Sequence, residues 1–317
     1  ANGINPSSPN RFTYMFDNVN IPAIIEYWAA TVIIHDNDQT HKNYYGYRDT
    51  RDPANNPNGT NEWMYLPWDK DLTFGVTGID NDMPGDIRSP SHPFYGCSEH
   101  QKIDYQWNGL IDALFDNRVT REMYLRRLRT LMDDLLQAPG TPAGDLKFEK
   151  RIDELKAAAQ TELGSSGWNS DVGWIKTSYM VRRRQHLFVN HSINNPGYDQ
   201  NAGIPGSQPA NPTITIGSIE YNPASYNQGE EYIELVNSNA YAVDITGWKL
   251  ADAVEHTFPP GTVIPSGGSM YVTPDAFSFR NRSASPRGSE QRFVQGNYEG
   301  HLSSWGETIS LFNAQDS

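Results

Sequence analysis

Two short stretches of the sequence carry the polar side chains that phosphoryl transfer requires. Residues 35–43 read His-Asp-Asn-Asp-Gln-Thr-His-Lys-Asn, and residues 63–75 read Trp-Met-Tyr-Leu-Pro-Trp-Asp-Lys-Asp-Leu-Thr-Phe-Gly. Transfer of a phosphoryl group needs a carboxylate that accepts the proton of the attacking hydroxyl. It also needs an amide and a second carboxylate that hold divalent metal on the phosphates. Both stretches supply these groups, so phosphoryl transfer is the chemistry that they favour.

The spacing of Asp38 and Asn43 matches the loop on which protein kinases carry the base and the amide, Asp-x-x-x-x-Asn. In protein kinases this loop is followed by a pair of strands, and the metal-binding Asp comes after them. Asp69 and Asp71 stand in that position. Two alternatives stay open at this point. Asp38 and Asn43 could cap turns after a helix, and Asp69 and Asp71 could be ion-paired framework residues.

The elements that must position these side chains are predicted from periodicity. Residues 20–34 have the pattern of a helix, with Asn20 as its cap and an apolar face. Residues 43–48 and 63–66 are strand-like, and the Asp-, Asn- and Pro-rich segment 49–61 between them predicts a long hairpin loop.

The remainder of the first half is predicted to be irregular and then helical. Residues 77–100 are rich in Gly, Pro, Asp and Ser, which is typical of a surface loop. Residues 107–193 have helical spacing, with one helix over 148–163 ended by Gly164 and a last helix over 172–193. The three consecutive arginines 182–184 are expected on a solvated helix face, with an acidic substrate as the alternative partner.

Beyond residue 212 the apolar pattern alternates instead of following a helical period. Residues 213–317 predict short strands separated by Gly- and Pro-containing turns, which is the pattern of an all-β sandwich. Residues 197–212 have the composition of an interdomain linker. We therefore predict an α+β protein, with a mostly helical domain over 1–196 followed by the sandwich domain.

Composition excludes several classes of function. The net charge of −13 disfavours nucleic acid as a partner. The chain has no apolar run long enough to span a membrane. Its single cysteine, Cys97, cannot form an internal disulfide.

The first half resembles the CotH-type spore-coat kinases, which are atypical bacterial protein kinases. The resemblance covers roughly residues 10–193, and its motif residues are Asn37-Asp38, 42–48 and the Pro-Trp-Asp-Lys-Asp block within 65–75. It implies that Asp38 is the catalytic base. It further implies that Asn43 and Asp69 bind the nucleotide and its metal, and that Asp71 is a second metal ligand or an orienting group. ATP and Mg²⁺, or Mn²⁺, are the cofactors expected in the full-length protein.

Two features depart from the pattern of ordinary kinases. Asp36 stands two positions before Asp38, where ordinary kinases use His. No Gly-rich phosphate loop precedes residue 20, nor does a Lys–Glu pair that grips ATP. The resemblance therefore implies a C-terminal catalytic lobe whose isolated form is inactive. The competing hypothesis is a non-catalytic cell-surface scaffold or adhesion protein. A metal-dependent hydrolase ranks third, because it would need more ligands at fixed spacing.

The second half resembles the lamin-tail domain, an immunoglobulin-like sandwich. The matching segments are 219–223, 230–237, 243–252, 258–268 and 302–311. The resemblance implies a module that binds a partner or acts as a spacer between domains. The expected partner is a protein or another surface component. It also favours an exported or cell-surface location in a bacterium. Both ends look like cuts from a longer chain, so a signal segment is expected outside it.

Overall fold

The computed structural model describes residues 8–36, 42–74, 108–164, 169–195 and 203–315. Helices dominate the first part and strands the second, so the predicted α+β class is confirmed. The helices of the first part are α1 (Arg11–Asn18), α2 (Ile21–Ile33), α3 (Gly109–Asp116), α4 (Arg118–Leu131), α5 (Lys147–Leu163), α6 (Asn169–Trp174) and α7 (Met180–Arg184). π-Helical turns extend three of them, at Met132–Leu136 after α4, at Ile175–Tyr179 after α6 and at Gln185–Asn190 after α7.

Helix α2 is the central element of the first domain. The Asn20 side chain accepts the backbone N–H of Ala23 at 3.0 Å, so it caps the helix as its position predicted. Trp28 is fully buried and stacks on Tyr124 of α4, with ring centroids 3.9 Å apart. A helix that is apolar on nearly every side is stable only when it is covered on nearly every side. Helix α2 is therefore the fixed base from which the segment after it emerges.

Strands β1 (Tyr44–Arg48) and β2 (Trp63–Pro67) form the predicted antiparallel hairpin. The Asp49 carboxylate organises the loop between them by accepting the backbone N–H of Thr60 at 2.8 Å and the Asn56 amide at 2.8 Å. Partial burial raises the pKa of Asp49, but these hydrogen bonds outweigh it and leave the pKa below its usual value. The long loop is therefore held by its own side chains.

The second part is a sandwich of two four-stranded sheets and one short strand pair. The first sheet has the order β10-β9-β4-β3, the second has the order β11-β7-β6-β12, and β5 pairs with β8. The strands are β3 (Ile214–Glu220), β4 (Tyr232–Asn237), β5 (Val243–Asp244), β6 (Lys249–Asp252), β7 (Val254–Thr257), β8 (Val263–Ile264), β9 (Ser269–Val272), β10 (Val294–Gln295), β11 (Glu299–Gly300) and β12 (Ile309–Phe312). One short helix, α8 (Ala276–Arg280), follows β9.

The two parts pack against each other through buried arginines. Arg127 of α4 contacts Glu26 of α2 at 2.5 Å and Asp244 of β5 at 3.0 Å. Arg126 donates to the carbonyl oxygen of Ala242 at 2.9 Å. A β-carbon built on Gly261 would lie 2.2 Å from the carbonyl oxygen of Pro22, so the backbones of the two parts are in direct contact.

The described part of the predicted linker takes part in this interface. The carbonyl oxygens of Pro205 and Gly206 accept hydrogen bonds from Arg129 and Arg126. The side chain of Gln208 is paired with the backbone of Asp244 in both directions. Residues 203–208 thus lie along α4 and β5, while the domain boundaries themselves stay a prediction.

Among the described helices, none is long and apolar enough to cross a membrane.

Candidate functional site

The two polar stretches lie side by side at the end of α2. The backbone N–H of Phe74 donates to the carbonyl oxygen of Ile34 at 2.7 Å, which joins the segment after β2 to the end of the helix. The Asn43 side-chain amide donates to the carbonyl oxygen of Asp69 at 3.1 Å. The Trp68 backbone N–H donates to the carbonyl oxygen of Asn43 at 3.2 Å. Two of the predicted site residues, Asn43 and Asp69, are therefore in direct contact.

Left-handed backbone conformations are concentrated at this place. Among the described residues of these segments, four non-glycine residues have positive φ angles, namely His35 at 52°, Asn43 at 59°, Asp69 at 50° and Phe74 at 53°. Asn and Asp adopt this conformation at the smallest cost among non-glycine residues. Such residues are found preferentially at functional sites, where the surrounding structure holds them in place. The chain thus turns sharply at the predicted ligand positions.

The carboxylates of Asp69 and Asp71 are exposed. Neither makes an ion pair with any residue that the structure describes. The reading of both as ion-paired framework residues therefore has no support in the described part of the chain. Also within that part, no group of three or more His, Cys, Asp and Glu side chains is placed to hold a metal ion by itself.

A buried ion pair lies behind these carboxylates. Lys70 places its Nζ 2.6 Å from Oδ2 of Asp36, whose side chain is 1% exposed. The same Nζ lies 3.1 Å from the hydroxyl of Tyr27 on α2. Burial, followed by the negative charge of Asp36, raises the pKa of Tyr27, so its hydroxyl stays protonated. Sequence reasoning noted Asp36 only as a departure from ordinary kinases and missed Lys70.

Two consecutive residues, Asp69 and Lys70, thus fix both ends of the polar stretch 35–43. Lys70 binds Asp36, and Asp69 binds Asn43 through its carbonyl oxygen. The candidate base Asp38 lies between these two anchor points in the sequence, but it falls within residues 37–41, outside the described residues. Its role stays a prediction. The predicted loop 77–100 also lies outside the described residues.

The inner face of the hairpin is attached to α3 through Asn108. Its carboxamide oxygen caps the helix by accepting the N–H of Leu110 at 3.1 Å, and it also accepts the Tyr65 hydroxyl at 3.1 Å. Its amide nitrogen donates to the hydroxyl of Tyr44 at 2.9 Å. Burial raises the pKa of both tyrosines, which keeps them neutral hydrogen-bonding groups. This network holds the strand that follows Asn43.

The prediction of a solvated arginine face at 182–184 is wrong for two of the three residues. Arg183 is buried and donates to the carbonyl oxygens of Ile33, at 3.3 Å, and of Val32. It thereby satisfies carbonyls at the C-terminal end of α2, which a helix leaves without intrahelical partners. Arg184 forms a buried two-point pair with Glu149, at 2.6 and 2.9 Å. Of these three arginines, Arg182 is exposed, as predicted.

These features define a protein class: a helical domain with a β-hairpin whose flanking residues Asn43 and Asp69 are in contact, packed on an immunoglobulin-like sandwich. The family model described as CotH kinase protein matches residues 1–173. That is more than half of the chain, so the chain belongs to the CotH kinase family. The model described as Lamin Tail Domain matches residues 207–317. No curated protein and no solved structure matches the chain.

Proposed function

We propose that this chain carries the base and the metal-binding groups of a protein kinase that transfers the γ-phosphate of ATP to Ser or Thr hydroxyls of coat or surface proteins. The observation that carries this proposal is the contact of Asn43 with Asp69, beside exposed carboxylates that the described residues leave without ion pairs. Membership of the CotH kinase family supports it further.

The residues present fit a divalent metal that is shared with nucleotide phosphates. Mg²⁺ prefers oxygen ligands and is bound in kinase sites through one or two carboxylates together with substrate phosphates. The Asn43 amide nitrogen donates to the carbonyl oxygen of Asp69. The carboxamide oxygen is the atom of this side chain whose chemistry suits coordination of a cation. The Asp69 and Asp71 carboxylates are exposed and can approach a bound ion. Mn²⁺ accepts the same oxygen ligands.

Each residue has a role in this proposal. Asp38 accepts the proton of the attacking hydroxyl. Asn43, Asp69 and Asp71 hold the metal, and Asn43 and Asp69 also position the nucleotide. Lys70 holds the buried Asp36 side chain in place through their ion pair, so that the backbone leading to Asp38 starts from a fixed point. Bound ATP and its metal ion supply the transferable phosphoryl group and neutralise charge that develops on it.

The test is phosphate transfer by the full-length protein, measured with radiolabelled ATP. We expect Asp38→Ala to abolish transfer while the circular dichroism spectrum stays native. The matched control is Asp145→Ala, because Asp145 is exposed and distant in sequence from the site. Transfer by the Asp38 variant at the wild-type rate would overturn the assignment of the base.

A non-catalytic surface scaffold is the second candidate. It is favoured by the tight packing of the sandwich on the helical domain, since a rigid two-domain body suits the presentation of a binding surface. Metal-dependent binding of ATP to the full-length protein, measured by calorimetry, separates the two candidates. The kinase requires it, whereas the scaffold does not.

The lamin-tail domain supports contact with a protein or another surface component in either case. Its resemblance also favours an exported or cell-surface location in a bacterium. Fractionation of cells that express the full-length protein tests the location, and recovery of the protein only in the cytosol would contradict it.

A further inference from the structure

A cavity of about 380 Å³ lies at one end of the sandwich, far in sequence from the kinase-type site. The side chains that matter for its chemistry are those of Tyr221, Gln228, Glu231, His301 and Trp305. Among the described residues that line it there is neither lysine nor arginine, whereas both aromatic and carboxylate groups are present. The cavity therefore has an aromatic wall and an acidic floor.

The floor carboxylate, Glu231, is incompletely paired. Glu231 is 1% exposed. Its Oε2 accepts hydrogen bonds from the Tyr298 hydroxyl at 3.1 Å and from the Leu302 N–H at 3.0 Å. Its other oxygen, Oε1, is buried and has no hydrogen-bond partner among the described residues. Burial raises the pKa of Glu231, while the two hydrogen bonds and His301 oppose that rise. A buried carboxylate that is bonded on one oxygen only is stabilised by an added cation.

The aromatic wall is an indole held out into solvent. Trp305 is 95% exposed, in contrast to the usual burial of this residue type. Its backbone is ordered by a local turn, in which its N–H donates to the Ser303 hydroxyl at 3.1 Å. The Ser303 N–H in turn donates to the carboxylate of Glu307. The indole is thus presented from a fixed loop, and Glu307 adds a second negative charge beside the cavity.

We propose that this cavity binds a basic side chain, a lysine ammonium or an arginine guanidinium, of a partner polypeptide. The cation would lie against the Trp305 indole, whose face attracts positive charge. The Glu231 carboxylate would balance its charge, and no described lysine or arginine lines the cavity to compete with it. The net charge of −13 favours the approach of a basic partner. A neutral saccharide could also stack on the indole, but it would leave the Glu231 charge without a counterion. The site acts independently of phosphoryl transfer.

The test uses the full chain and two matched peptides. One contains lysine and arginine in a Gly-Ser background, and the other has acetyl-lysine and citrulline at the same positions. Calorimetry should show binding of the basic peptide only, and the affinity should fall as salt is added, because the attraction is between charges. Trp305→Ala should weaken binding about fivefold or more, as loss of a cation–π contact predicts. Glu231→Gln, which keeps the side-chain shape, should weaken it at least as much.

The control variant is Tyr226→Ala, because Tyr226 is 87% exposed on the same domain and does not line the cavity. It should bind as the wild type does. Trp305→Ala keeps the test decisive even if Glu231→Gln unfolds, because an exposed indole contributes little to folding. Equal binding of both peptides, no binding of either, or full binding by Trp305→Ala would each overturn the proposal. So would Trp305-dependent binding of a neutral oligosaccharide in place of the basic peptide.

Discussion

The ammonium nitrogen of Lys70 lies 2.6 Å from a carboxylate oxygen of Asp36, across 34 positions of sequence. This ion pair joins the end of α2 to the segment that carries Asp69 and Asp71. The neighbouring contact between Asn43 and Asp69 fixes the other end of the loop that contains the candidate base. The geometry of the candidate site therefore depends on a pair of residues that are not themselves assigned as ligands.

Replacing Lys70 by Met should destabilise the protein strongly. The change removes the Lys70 ammonium from beside the buried Asp36 carboxylate, and losing one partner of a buried pair costs about 3–5 kcal/mol. Urea unfolding measures the effect. Lys70→Arg, which keeps the charge, should cost less. The double variant Asp36→Asn with Lys70→Met should be more stable than Lys70→Met alone, because the negative charge that Lys70 balanced is removed as well. A free energy of unfolding within about 0.5 kcal/mol of wild type for Lys70→Met would show that the pair contributes little.

Asp69→Asn and Asp71→Asn should each weaken Mg²⁺-dependent binding of ATP by the full-length protein. Loss of one charged ligand contact corresponds to about tenfold in affinity. Calorimetry with and without Mg²⁺ measures the effect, and Asp145→Asn is the exposed control. If both site variants bound Mg-ATP as tightly as the control, the two carboxylates would have no part in holding metal.

Gly261→Ala should weaken the contact between the two domains. Gly261 has φ of +84°, and an added β-carbon would meet the Pro22 carbonyl oxygen at 2.2 Å. Gly267→Ala is a matched control, because its φ is +62° and nothing lies within 4 Å of its β-carbon position. The control should lose about 1 kcal/mol from backbone strain alone. Gly261→Ala should lose clearly more stability than this control, which thermal unfolding of both variants measures. Equal losses of stability in the two variants would mean that the domain interface accommodates the added methyl group without a measurable cost in free energy.

The raised pKa of Glu231 predicts a pH dependence of stability. Its ordinary value is 4.5, and the folded-state pKa lies above it. The folded state therefore binds more protons than the unfolded state between the two values, so this residue makes stability fall as pH rises through that window. Glu231→Gln should remove this contribution. Urea midpoints measured from about pH 4.5 upward should fall less steeply for the variant than for the wild type. The same dependence of the urea midpoint on pH in the variant and the wild type would contradict the prediction.

Local patterns predicted the elements of the site well. The cap at Asn20, the strand pair after Asn43 and the long loop over 49–61 are encoded by nearby residues and appear as expected. The hydrogen bonds by which Asp49 holds this loop were not part of the prediction. Strands of two residues, such as β5 and β8, are too short to show an alternating pattern of their own, so local periodicity does not define their bounds.

Contacts between distant segments could not be predicted in the same way. Arg183 and Arg184 have the composition of a solvated helix face, and only the arrival of α2 and α5 beside them explains their burial. The same is true of Arg127, whose two carboxylate partners come from different domains. Single-sequence periodicity contains no information on which carbonyl or carboxylate a buried arginine meets.

The arginine contacts and the close approach of Gly261 to Pro22 have a consequence for how the chain comes apart. Buried side chains of α2, α4 and the strands β5 and β8 belong to one continuous apolar core. Neither part can open without exposing apolar surface of the other to water. We therefore expect heating to produce a single cooperative transition. A sandwich severed from its helices should aggregate through the surface that α4 now covers.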